Sequence, residues 1–259
     1  MPKQSKGLCK YCGKEYTKGG MLKHLAACKE RKNVWNKETG KRKSGYFELV
    51  ISGRYNTAYW LIIEMRDTAT LEDLDRFLRE IWVECCGHLS AFTINGEEYE
   101  VLPDMVDIWG GFSEPSKSMD YKLKDVFSVG MSAGYVYDFG STTELAIKVQ
   151  EYRTGVWKSD AVTILSRNNP PEILCSVCEK NKAVWILPER YYEGDPFRCD
   201  DCLRLAEEDE ESENMEEDDD YYFEEFYLPV CNSPRMGVCG YEGSDCFPDV
   251  FKPDRKADK

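Results

Sequence analysis

Residues 57–82 read TAYWLIIEMRDTATLEDLDRFLREIW, and the change of hydrophobic period within them sets the fold class. Thr57–Arg66 is strand-like, with Trp60, Ile62 and Ile63 among β-favouring neighbours. Thr70 then caps a helix with Asp73 at its third position. Leu71, Leu74, Phe77, Leu78, Ile81 and Trp82 follow at helical spacing. Working outward, Tyr46–Ser52 is another strand-like run. Phe92–Ile94, the Asn95–Gly96 turn and Glu98–Val101 predict a β-hairpin. Residues 103–119 are irregular and rich in Gly, Pro and Ser. Leu123–Phe127 predicts a helical turn, and Tyr135–Phe139, Leu145–Tyr152 and Val162–Leu165 predict strands. The expected class is α+β, a mainly antiparallel central sheet with a covering helix over residues 46–167, flanked by two small modules.

Those modules are read from cysteine spacing. Cys9, Cys12, His24 and Cys28 follow C-x2-C-x11-H-x3-C within residues 1–29. Cys175, Cys178, Cys199 and Cys202 follow C-x2-C-x20-C-x2-C within residues 168–205. Thiolates two residues apart can grip one metal from a tight turn, and two such grips complete tetrahedral coordination. Two Zn²⁺ ions are the expected cofactors. His24 and Cys28 lie four apart on one helix face that Met21 and Leu25 share, and Tyr16 adds bulk. So small a unit cannot bury enough surface alone, and a bound zinc contributes about 10–16 kcal/mol to such folds. The string from Cys9 to Cys28 resembles C2HC-type zinc fingers. The second module encloses the strand-like Ala183–Leu187, as in a zinc ribbon or treble-clef-like knuckle pair. Its four thiolates leave no open position, so its metal is expected to be structural.

The net charge of −14 over 259 residues hides a polarity. Residues 1–45 carry thirteen Lys/Arg against Glu15, Glu30 and Glu38, a net of +10, so the remainder carries −24. Residues 207–225 hold thirteen Asp/Glu and no basic residue. The basic set comprises Lys10, Lys14, Lys18, Lys23 and Lys29 on the first module, continued by Arg31, Lys32, Lys41, Arg42 and Lys43 in a polar linker, 30–45. It suits phosphate contact and salt-sensitive nucleic-acid binding, or else is a solvated face. A protein partner is the other expectation; small ubiquitin-binding fingers share the ligand spacing but carry an acidic residue where this chain has Ala26. The acidic run, 206–225, is expected to be a disordered spacer or a competitor for the basic head. No apolar run is long enough to span a membrane, and the N-terminus has no secretory apolar core. A cytoplasmic protein with reduced thiols is expected.

Trp60-Leu-Ile-Ile-Glu64, Thr70-Leu-Glu-Asp-Leu74, Trp82, Gly87-His88-Leu89 with Phe92, Leu123-Lys-Asp-Val126 and Tyr135-Val-Tyr-Asp138-Phe139-Gly140 occur in that order. Together they resemble the plasmid pRiA4b ORF-3-like domain, also found as a passenger of insertion elements. The resemblance covers about residues 46–155 and implies an α+β domain of largely uncharacterised biochemistry. The chain departs from the family pattern at Ser90, Ser141 and Thr143. An enzyme reading would join His88, as general base, to Asp138 and Glu144. The plainer reading makes His88 structural, bonded to backbone or Asp138, and the whole a non-enzymatic binding protein with no small-molecule substrate. Asp138-Phe139-Gly140 lacks the companion motifs of a kinase. Cys85 and Cys86 end the apolar helix and read as buried filler. Cys231, Cys239 and Cys246, in segment 226–259, offer three thiols that would need Asp245 or another ligand to hold a third metal.

Overall fold

A computed structural model describes residues 4–101, 116–205 and 226–254. The chain starts with a hairpin, β1 (Lys6–Leu8) and β2 (Glu15–Thr17), then two helices, α1 (Lys18–Ala27) and α2 (Lys29–Lys37). The central sheet contains β3 (Lys43–Gly53), β4 (Trp60–Arg66), β5 (Ser90–Ile94), β6 (Glu97–Glu100), β7 (Lys117–Ser118), β8 (Ser132–Tyr137), β9 (Thr143–Val156) and β10 (Val162–Arg167). Among the described residues its order is β10-β4-β3-β9-β8-β5-β6-β7, antiparallel except for the β6–β7 pair. Helix α3 (Leu71–Leu78) and a short α4 (Leu123–Val126) lie between strands. A small sheet of β11 (Trp185–Ile186), β12 (Phe197–Arg198) and β13 (Leu228–Pro229) completes the fold. The class is α+β, as the periods predict.

The apolar run at β4 is continuous because both faces of that strand are covered. Leu61, Ile63 and Met65 share one core with Phe47, Leu49, Ile51, Leu145 and the α3 residues Leu71, Leu74 and Leu78. Trp60 and Ile62 share a second core with Val50 and Leu165 and with Tyr11, Met21 and Leu25 of the first module. That module is therefore a third layer, seated on the sheet face opposite α3.

Its attachment is specific. Gly7 bridges to Asn168, Lys10 N donates to Leu165 O at 2.9 Å, and Ser166 Oγ donates to Leu8 O at 2.8 Å. A Cβ on Gly7 would collide with the Arg167 carbonyl and the Trp60 ring. Only a residue without a side chain lets β1 approach this edge so closely.

Two expectations need correction. Residues 30–45 are not a plain linker: 29–37 form α2, whose buried residue is Arg31. The apolar helix also stops earlier than its period suggests. The capping box at Thr70 and Asp73 is present, but after Leu78 the backbone widens into a π-turn, Arg79–Val83. The wider turn buries Ile81, Trp82 and Val83 consecutively and places Cys85 and Cys86 beyond the helix. The acidic run 206–225 lies outside the described residues.

The C-terminal segment docks on the central domain. Phe247 packs edge-on against Phe77 at 5.7 Å, and Ser233 Oγ donates to Trp82 O at 2.5 Å. β13 adds to the edge of β11, tying the same segment to the second module.

Candidate metal centres

Among the described residues, three clusters of Cys and His have donor atoms that all lie within 4.8 Å of one another. Two are the sets expected from spacing, and the third is Cys85, Cys86, His88 and Cys239. All twelve cysteines are free.

In the first cluster the Cys9–Cys12 turn reverses at Gly13, whose φ is +69°, and its amide donates to Cys9 O at 2.9 Å. The far pair comes from α1, capped by Thr17, and from the α1–α2 junction. His24 Nε2 stands 3.2 Å from Cys12 Sγ, and Tyr16 stacks on the imidazole at 4.4 Å. Burial, with Lys14 second, lowers the His24 pKa, which keeps the ring nitrogen available as a donor. Burial pushes the Cys9 thiol up to about 12, against the amides of Cys12 and Tyr11, and the Cys28 and Cys12 thiolates add to the rise. A cation among these donors reverses that balance, so the set fits a thiophilic metal.

In the second cluster Cys178 Sγ and Cys199 Sγ are 3.9 Å apart. Although burial opposes it, the amides of Cys178, Cys199 and Val177 bring Cys175 down to about 6. Asn181 Nδ2 donates to Cys199 Sγ at 3.7 Å. Amides converging on sulfur are the environment a metal thiolate needs. This donor set fits too.

The third cluster revises three readings. Cys85 is half-buried and Cys86 exposed, not buried filler. Cys239 joins them, whereas Cys231 is buried beside other groups and Cys246 is exposed, and neither belongs to any of the clusters. His88 Nε2 lies 3.0 Å from Cys86 Sγ, 3.2 Å from Cys239 Sγ and 3.4 Å from Asp138 Oδ2. Glu144 does not join His88 and Asp138: it pairs with Arg54 at 3.3 Å and accepts from Tyr55 at 2.9 Å. Asp138 closes a turn instead, accepting from the Gly140 and Ser141 amides and, at 2.8 Å, from the buried Arg235. Burial would raise its pKa, but Arg235 and those amides hold the carboxyl below the usual range.

The basic residues divide. Lys14, Lys23, Lys29, Lys32, Lys41, Arg42 and Lys43 are exposed. Lys10 pairs with Asp254 at 2.9 Å. Arg42 stacks on Trp157 at 4.2 Å. Lys18 lines an open groove of about 710 Å³ together with residues on or beside the sheet, among them Arg54, Gly134, Glu144, Ala146 and Lys148. Arg31 is removed from the surface set: it is 2% exposed, 2.7 Å from Glu48 and 3.6 Å from Glu64. Nothing in its sequence neighbourhood marks it off from Lys32.

Residues 53–179 match the family described as "Plasmid pRiA4b ORF-3-like protein". The centre of this chain is a pRiA4b ORF-3-like domain. A solved structure similar to part of the chain is a protein of unknown function, MM3350, from Methanosarcina mazei Go1. Identity is 20% and the TM-score 0.38, over 48% of this chain and 68% of that one. No curated protein sequence matches. Within the pRiA4b-type domain, Tyr-Asp-Phe-Gly supplies the Asp138 turn that holds Arg235, and Gly-His-Leu supplies the imidazole of the third cluster. Among the described residues no helix is long and apolar enough to cross a membrane.

Proposed function

We propose that this chain is a zinc-stabilised, non-enzymatic binding protein that associates with nucleic acid through the lysines of its first metal module. Zn²⁺ is the ion that best suits both donor sets. Cys9, Cys12, His24 and Cys28 would hold one and Cys175, Cys178, Cys199 and Cys202 the other, each closed by four side chains without a position for substrate. The metal's contribution there is to fix small modules in shape.

The observation that carries the reading is the exposure of Lys14, Lys23 and Lys29 on a module whose core is continuous with the sheet, with Lys32 exposed on the adjoining α2. Cations held on a rigid support neutralise phosphates and release condensed counterions, which gives affinity without base reading. The adjoining groove adds Lys18 and Lys148 beside the neutralised Arg54–Glu144 pair. The mobile-element setting of the family fits such a role.

The test is binding of the full chain to DNA, RNA and an acidic polypeptide across a salt series. Duplex DNA affinity should fall with a log–log slope of about −0.9 per phosphate contacted. Replacing Lys23, Lys29 and Lys32 together by Glu should cost about tenfold or more at low salt and flatten that slope. No binding of either nucleic acid, or affinity unchanged in the triple variant, overturns the reading.

A further inference from the structure

We propose that Cys85, Cys86, His88 and Cys239 form a third zinc site, which clasps the C-terminal segment to the pRiA4b-type domain. The donor set is Cys3His, a combination typical of tetrahedral zinc. With Zn–S of about 2.3 Å and Zn–N of about 2.0–2.1 Å, a tetrahedron has edges of about 3.5–3.8 Å. Four of the six separations bracket that range, Cys85–Cys86 3.7 Å, Cys86–Cys239 4.0 Å, Cys86–His88 3.0 Å and His88–Cys239 3.2 Å, and all six lie within 4.8 Å. Neither sulfur pair is at bonding distance.

The backbone is built to hold this convergence. Gly87, at φ +81°, reverses the chain between Cys86 and His88, and its amide donates to Glu84 Oε1 at 2.6 Å. Cys239 itself adopts φ +50°, beside Gly240 at +67°. A side-chain-bearing residue in that region is uncommon, and here it turns the thiol toward His88. Arg235 Nη2 donates to Cys85 Sγ at 3.3 Å, a charge-assisted outer contact of the kind that stabilises metal thiolates.

Ligands come from two segments about 150 residues apart, so the metal is a tie and not the nucleus of a local module. The segment is also fixed by other bonds. Asn232 Nδ2 donates to Asn168 O at 2.9 Å and Arg235 donates to Ser141 O at 3.0 Å. Loss of a thiol at the exposed positions 86 or 239 should therefore leave the fold intact.

The inference does not depend on nucleic-acid binding. Native mass spectrometry of the full chain, produced with zinc and reductant, should find three ions per chain. Cys239→Ser and Cys86→Ser should each find two, with unchanged circular dichroism. Alkylation mapped by peptide provides a second readout: Cys86 and Cys239, though exposed, should react about tenfold more slowly than exposed Cys246 until a chelator is added. Two ions in the wild type, three in Cys239→Ser, a Cys86–Cys239 disulfide, or equal alkylation of Cys86, Cys239 and Cys246 would each overturn it.

Discussion

Arg31 shows how far a residue's role can stand from its type. It is one of thirteen cations in a basic head, yet it lies within the fold with its guanidinium over Trp35 at 4.4 Å. Arg153 shares that ring at 4.5 Å and binds Glu64 at 2.5 and 2.6 Å. Glu64 thus has two arginines, and although burial opposes it, Arg153, Lys158 and Arg31 lower its pKa. Glu48 has its pKa raised, burial outweighing Arg31. The two carboxylates consequently bias acid stability in opposite directions. Glu64 adds stability that is present above its unfolded value of about 4.3 and is lost as pH falls through its lower folded value. Glu48 adds stability that is full below that unfolded value and is lost as pH rises through its raised folded one. Glu64→Gln should cost roughly 3–5 kcal/mol at neutral pH, the scale of a broken buried pair, and the gap from wild type should narrow below about pH 4. Urea midpoints measured across pH check this; a gap constant with pH would remove Glu64 from the account.

At the scale of elements, β1 gives the sharpest expectation. Gly7→Ala places a methyl where the Arg167 carbonyl and Trp60 ring already stand, so the hairpin must lift from β10. The expected cost is about 1–3 kcal/mol, with faster zinc removal by chelator from the first module. Denaturation and chelation kinetics measure both, and a wild-type chelation rate would mean that docking does not depend on this approach. The strands of this sheet other than β7, which falls in the stretch read as irregular, are legible from sequence for a physical reason: burial on one or both faces selects β-branched and aromatic residues, and Asn95-Gly96 carries the positive φ values its turn needs, +54° and +83°. Helix α2 is not legible. Its buried residue is an arginine, so the apolar period that announces a helix is absent. The two local ligand sets are read directly, because each completes itself within 28 residues or fewer. The third set is hidden. Cys85 and Cys86 continue an apolar period that a π-turn interrupts, and Cys239 arrives from 151 residues beyond His88.

For the whole molecule, the C-terminal segment is part of the fold. Arg235, fully buried, joins Asp138 at 2.8 Å, Ser141 O at 3.0 Å and Thr143 Oγ1 at 3.1 Å. Arg235→Met would leave Asp138 without its cation and should lower stability by about 3–5 kcal/mol. Limited proteolysis should then cut within residues 228–254 before the sheet is lost; an unchanged denaturation midpoint would mean the segment only lies against the domain. The first module faces a different constraint, one of timing. Leu8 and its hydrogen-bond partner Ser166 are 158 residues apart. At about 5–20 residues per second on the ribosome, the nascent hairpin waits on the order of ten seconds before β10 exists to receive it. During that interval Tyr11, Met21 and Leu25 lack Leu165 and the β10 edge of their seat, and an ion captured by residues 9–28 is what can keep the emerging knuckle shaped until that edge has been translated.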